Sequence, residues 1–272
     1  MRRAVSVPVF CLFAAMLLPA KSLASQCYSL AQSVPGVRYA ALDLVAVEAP
    51  EVTIRYVSHS SYRIETPGGV SIVTDFYGNW GGGDAPDVVT MNHAHETHFT
   101  EWIHEDIDHV LRGWNPSGDG PAKHELRVGD VYIRNVPTNI RSYGGTELSG
   151  NSIFVFEVAD LCIGHLGHLH HRLTEEHYAM LGRLDIVMAP VDGTYTLDLP
   201  DMIAVLKELK ARIVLPMHAF SGRSLGRFIE GMQDDFAVVD PGGDSITVSL
   251  TTLPRTPTVM MMPVAFGDFG GD

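Results

Sequence analysis

Histidine is the residue whose placement points to chemistry. The 272-residue chain carries thirteen, and they are unevenly spread. The segment Met91-Asn92-His93-Ala94-His95-Glu96-Thr97-His98 puts three of them within six residues, directly after an apolar run. A second group, His165-Leu166-Gly167-His168-Leu169-His170-His171, follows another apolar run, and His218 closes a third, Ile213 to Met217. Neutral imidazole ligates zinc, iron, nickel and copper. Loops have no fixed side-chain periodicity, so neighbouring histidines on one loop can converge. Three such groups at the carboxyl ends of three strands would share one rim, which is where ligands bind in open α/β sheets. A metal centre is the expected result.

The elements that would position these loops can be read from period and punctuation. Residues 52–57 and 62–65 alternate as strands, and 70–74 follows a Pro-Gly-Gly turn and closes on Asp75. A glycine-rich loop, Gly78 to Gly83, leads to the strand 87–91. Further strands are expected at 107–112, 125–136, 152–158 and 160–164. Alternation of helix and strand begins after that. Thr174 caps a helix with Glu175 and Glu176 in its first turn and Gly182 at its end. The strand 185–189 follows, then a helix from Pro200, the strand 212–217, and a helix with Leu225, Phe228, Ile229 and Met232 on one stripe. Residues 244–251 read as a last strand. Pocket walls are expected from the loops 78–84 and 143–151.

The ends of the chain have a different character. Arg2 and Arg3, the apolar run Ala4 to Ala20 and the small-x-small pattern Ser22-Leu23-Ala24 read as a cleavable signal peptide over 1–24. That run is shorter than the roughly 20 apolar residues a membrane span requires. Export to the periplasm or medium is the expectation. Cleavage would remove Arg2, Arg3 and Lys21 and no acid, so the formal charge moves from −13 to −16. An acidic chain lacks the basic footprint that nucleic acid or an anionic membrane requires. The expected organisation is a lead-in over 25–50, one domain over 51–253 and a Pro-, Met- and Gly-rich tail over 254–272. Cys27 and Cys162 remain after cleavage; an oxidising compartment allows a disulfide, but sequence does not show that they meet.

The chain resembles the metallo-β-lactamase superfamily, in the branch of ascorbate-6-phosphate lactonase. Ser58 to Ile64 is similar to the family's opening G-H-[AS]-[CST] segment, and Ile72-Val73-Thr74-Asp75 to its aspartate-ending strand. His93 to His98 resembles H-x-H-x-D-H. Cys162 to Leu173 resembles I-x-H-x-G-D-x-G-H-x-L, and Asp185 to His218 the closing D-I-x-x-x-P-V…P-M-H. The resemblance implies a four-layer αββα sandwich. It also implies that His93, His95 and His165 hold a first metal, that His98 and His218 serve a second, and that Asp75 orients a ligand imidazole. His59 would be a substrate contact or a buried structural histidine, and His171 a rim or outer residue.

Two positions depart from the pattern. Thr97 and His168 stand where the family has aspartates, one of them bridging. Imidazole offers one lone pair and cannot bridge two cations, so one tightly held ion is expected, zinc first among transition metals, with a weaker second site. His168 would join His98 and His218 there or act in catalysis. Glu96 is a substitute carboxylate or a solvated acid. The expected function is metal-assisted hydrolysis of an ester, lactone, amide or phosphoester in a small molecule. The alternative is a non-catalytic periplasmic protein that binds metal or ligand on the same fold. A true β-lactamase is a lesser rival, since fold does not set substrate. Sequence leaves the oligomeric state open.

Overall fold

The computed structural model describes residues 25–28, 49–142 and 144–263. The expected signal peptide, most of the lead-in and the last nine residues lie outside the described residues. Within them the chain builds two mixed sheets packed face to face. The first begins with β1 (Val52–Ser58), β2 (Ser61–Glu65), β3 (Ser71–Val73), β4 (Val88–Met91) and β5 (His109–Arg112). The second begins with β6 (Glu125–Val128), β7 (Val131–Ser142), β8 (Gly145–Val158) and β9 (Leu161–His165). It continues through α1 (Glu175–Leu181), β10 (Ile186–Pro190), α2 (Leu199–Leu209), β11 (Ile213–Met217), α3 (Gly222–Met232) and β12 (Ala237–Val239). The chain then returns β13 (Ser245–Val248) to the first sheet and β14 (Thr258–Met260) to the second. The orders are β13-β1-β2-β3-β4-β5 and β12-β14-β11-β10-β9-β8-β7-β6.

Burial follows from these layers. In β1 the inward positions Val52, Ile54 and Tyr56 are buried and the residues between them less so, the period-2 signature of a strand with one face on the core. They meet Phe154, Phe156, Ile186, Met188, Ile213 and Leu215 between the sheets. Strands β10 and β11 pair in parallel and are buried at every position, because their other face is covered by helices. There Leu181, Met202, Leu206, Phe228 and Met232 pack on Ile153, Val155, Val187 and Val214. The helix starts are where the sequence put them. Thr174 accepts from the His177 backbone N–H, and His177 reciprocates as the third residue of a capping box.

The architecture is the expected α/β sandwich, and it differs from the sequence expectation in four details. The outer face of the first sheet is covered among the described residues by loop side chains, Trp80, Phe99, Ile103 and Trp114, over Val73, Phe76, Val89 and Met91; no helix lies there. The expected strand 125–136 is a hairpin of β6 and β7 that turns at Gly129-Asp130. The expected loop 143–151 is largely strand, because β7 and β8 run on as a long hairpin to Ser142 and Gly145, with a bulge between Thr138 and Ile140. And the tail from 254 supplies β14, paired parallel to both β11 and β12.

Residues 25–28 are fastened to the second sheet. Cys27 and Cys162 form a disulfide with Cα atoms 5.8 Å apart, and the Arg183 N–H donates to the Cys27 carbonyl over 2.8 Å. The Gln26 N–H donates to Glu157 over 2.9 Å. Glu157 also receives Arg134 Nε over 2.8 Å, while the Arg134 guanidinium caps the Met180 and Leu181 carbonyls at the end of α1 and lies over the Tyr28 ring. The disulfide joins residues 135 apart in sequence, so it removes much loop-closure entropy from the unfolded chain. Replacing Cys27 by Ser is expected to lower stability by about 2–5 kcal/mol, read as a lower urea midpoint under non-reducing conditions. An unchanged midpoint would show that the clasp contributes nothing.

Candidate metal centre

The centre lies at the carboxyl ends of β4, β9, β10 and β11, where the loops that follow turn inward over one rim. One ring nitrogen from each of His95, His98, His168 and His218 lies within 4.8 Å of the others. All but His95, which is partly exposed, are buried. Two of the four have carboxylate backing. His98 Nδ1–H donates to Asp75 over 2.6 Å, and His218 Nδ1–H donates to Asp192 over 3.0 Å. Both rings are thereby held with a bare Nε2, and both of these atoms are buried without a hydrogen-bond partner. An orphaned buried acceptor is costly. Two of them aimed at one point, each on a carboxylate-oriented ring, fit the arrangement in which protein imidazoles hold a metal.

The carboxylates are themselves fixed. Asp75 is fully buried and accepts from Asn92 Nδ2 over 2.8 Å, while Asn92 Oδ1 accepts from the Ser152 N–H over 2.7 Å. Burial alone would raise the Asp75 carboxyl, but the His165 and His98 rings and the hydrogen bonds from His98 and Asn92 hold it below its ordinary value. Asp192 sits in the turn after β10. Its burial is likewise outweighed by hydrogen bonds from His218, Thr196 and the Thr194 backbone, which drive it far below the usual carboxylate range. Three non-glycine residues here have left-handed backbone, His59 (φ 48°), Asp75 (φ 43°) and His218 (φ 55°), the kind of strain that gathers at functional sites.

Thr97 links two rings, its hydroxyl 2.8 Å from His95 Nδ1 and 3.0 Å from His59 Nε2. The His59 ring centroid is 4.2 Å from that of His218, which makes His59 part of the wall. Its carbonyl also anchors the loop, accepting from the His218 N–H and from the Tyr56 hydroxyl. The exposed side chains Phe220 and Tyr195 continue the rim, Phe220 4.6 Å from the His218 ring and Tyr195 5.5 Å from Phe220.

Three expected site residues stand apart from this cluster. His93 turns away: its Nδ1 pairs with Glu147 at 2.7 Å and its ring stacks on Trp114 at 5.0 Å. His165 has both nitrogens engaged, Nε2 donating to the Ser60 carbonyl over 2.8 Å and Nδ1 accepting from the Gly167 N–H over 3.1 Å. The expected first-metal set of His93, His95 and His165 is therefore not assembled, because hydrogen bonds hold two of the three elsewhere. Glu96 is exposed and has no hydrogen bond or ion pair to a described residue. His171 lies one ring beyond the cluster, 6.4 Å from His170.

Several residues of the centre were not singled out from sequence: Asn92, Ser60, Asn151, His170 and Asp192. Asp192 had a usable signal, an Asp-Gly pair just past an apolar strand. The asparagines had none. Gly167, between two histidines, has φ 59°. A Cβ there would lie 2.4 Å from both Asn151 Oδ1 and Asn92 Nδ2, so only glycine fits.

With the geometry in view, the fold and its histidine-lined rim place the molecule among metallohydrolase-type sandwiches. The chain belongs to the family described as Beta-lactamase superfamily domain, which it matches over residues 53–218. It is 24% identical over 197 residues to a metal-dependent hydrolase of Ignicoccus hospitalis, covering 61% of this chain and 82% of the relative. It is 23% identical over 198 residues to another of Pyrococcus horikoshii, covering 61% and 84%. A solved Thermotoga maritima structure, described as a candidate zinc-dependent hydrolase of the metallo-β-lactamase superfamily, superposes with a TM-score of 0.56 at 25% identity. That match covers 78% of this chain and 98% of the other.

The protonation state follows from crowding. Burial, then repulsion from neighbouring rings, lowers His59 to about 3 and His95 to about 4. Burial, then Arg141 and His171, lowers His170 to about 4. His168 and His98 are also lowered, by burial first. The unfolded chain takes up protons at these positions below pH about 6.5, and the fold resists them. Their contribution is full above that pH and is lost as pH falls toward the lowered values. The Tm of the metal-free protein should be flat between pH 8 and 7 and fall progressively below about 6.5. A Tm unchanged from pH 8 to 5 would contradict a cluster of neutral buried rings.

Proposed function

We propose that the chain is a metal-dependent hydrolase that holds one transition-metal ion, zinc in the first instance, on His95, His98 and His218. The observation that carries this reading is the pair of orphaned Nε2 atoms of His98 and His218, each on a ring held by a buried carboxylate. All-nitrogen donors suit zinc, nickel or copper better than magnesium. Held by these three histidines, such an ion would supply polarisation of a scissile carbonyl or phosphoryl oxygen and a water made acidic, with a pKa of about 7. The family and the names of its relatives support hydrolysis of a small molecule.

The chain's own residues supply the rest. Asp75 and Asp192 keep the proton on Nδ1 of their histidines and so keep Nε2 bare. Thr97, where the family resemblance places an aspartate, relays between His95 and His59 without adding charge. Phe220 and Tyr195 give the rim an aromatic side on which an apolar portion of a substrate can rest. This rim favours a neutral ester or lactone over a phosphoester, in line with the resemblance to the lactonase branch. The signal-like residues 1–24 and the Cys27–Cys162 disulfide support residence in an oxidising periplasmic or extracellular space.

Metal content of the purified protein, beside His98→Ala and His93→Ala, tests the ligand set. Wild type and His93→Ala should each carry about one equivalent after zinc loading, and His98→Ala should lose it together with turnover of esters or lactones. Loss of metal in His93→Ala with retention in His98→Ala would refute the assignment. Tight metal binding with no turnover across esters, lactones and phosphoesters would favour the non-catalytic reading.

A further inference from the structure

A directed run of hydrogen bonds decides which nitrogen of His168 carries its proton. The backbone N–H of Arg141, near the tip of the β7–β8 hairpin, donates to His170 Nδ1 over 2.7 Å. A main-chain N–H can only donate, so His170 Nδ1 bears a lone pair and the proton of that ring sits on Nε2. His170 Nε2 in turn meets His168 Nδ1. That atom must therefore accept, and the His168 proton sits on Nε2, 3.1 Å from His95 Nε2. The tautomer is the reverse of that in His98 and His218, whose Nδ1–H groups serve carboxylates and whose Nε2 atoms are bare.

We propose that His168 is a fixed hydrogen-bond donor to the centre rather than a metal ligand, and that His170 is the positioning residue that holds it in that state. A ligand imidazole must offer a lone pair. The inward nitrogen of His168 has none, and its outward lone pair is taken by His170. The ring is buried, its backbone N–H is tied to Asn151 Oδ1 over 2.7 Å, and its Nε2–H rests on the His95 Nε2 lone pair, which a bound ion would take over and so free the donor for a ligand. An N–H aimed at an oxygen that gains negative charge during acyl transfer is a preorganised form of stabilisation. A neutral histidine here does by donation what an anionic residue could not. What the donor meets rests on the hydrolase reading; the tautomer does not.

The test is a long-range proton–nitrogen correlation spectrum of the metal-free, histidine-labelled protein, which distinguishes protonated from bare ring nitrogens. His168 should be protonated at Nε2 and bare at Nδ1, opposite to His98 and His218. In His170→Ala this preference should be lost, with His168 divided between tautomers, an effect that a merely structural role for His170 would not produce. In a Co2+ titration His168→Ala should weaken binding by less than roughly 10-fold, and His98→Ala by more than the roughly 10–100-fold that loss of an outer partner causes. A bare Nε2 on His168 in the wild type, or equal Co2+ losses in His168→Ala and His98→Ala, overturns the proposal. Absence of turnover with these spectra and affinities intact would count against hydrolysis and leave the donor assignment standing.

Discussion

The centre depends on one requirement: imidazole lone pairs must be kept inward in a place that water barely reaches. A neutral histidine has one proton and two nitrogens, so a bare inward nitrogen demands an acceptor on the outward side. Asp75 and Asp192 provide it for His98 and His218. Each carboxylate then needs donors of its own, found in Asn92 for one and in the Thr194–Thr196 turn for the other. The left-handed backbone at Asp75 and His218 follows from the same demand, because chains leaving two different sheets must aim short side chains at one point. The sandwich makes this affordable: its core between the sheets lies under the rim and holds the strand ends still.

Much of this was legible in the sequence, for identifiable reasons. Strands β1, β4, β10 and β11 announce themselves by alternation or by short apolar runs, and the histidine groups sit directly after three of the strands. The cap at Thr174 and the stop at Gly182 are local chemistry and were found where expected. The β7–β8 arm was not legible, because Gly144 to Ser149 carries two glycines and mostly polar residues, none of them buried. Without a buried face there is no period to read. The loop cover over the first sheet was hidden for a related reason, since Trp80, Phe99 and Trp114 pack from irregular segments.

The division of labour among the histidines was the least accessible part. Spacing alone cannot separate His93 from His95, or His165 from His168. What separates them is their partners: Glu147 for His93, the Ser60 carbonyl for His165, Thr97 for His95 and His170 for His168. Two of these links, from His93 and from His165, cross to a different loop or strand. The β7–β8 arm supplies two partners, the Glu147 side chain and the Arg141 N–H, so an arm whose outer part was expected only as pocket wall takes part in setting ring orientations.

Gly167 carries a consequence for how such a centre can change. Its absent side chain leaves room for Asn92 and Asn151 to approach from opposite sides, the first holding Asp75 and the second holding the His168 backbone. A methyl at 167 would push on both asparagines at once, and so on the supports of two different histidines. Substitutions at these positions cannot be independent, because residues sharing one contact couple non-additively. A side chain at 167 therefore requires both asparagines to give way together, which makes this one position a joint constraint on two histidines held from separate loops.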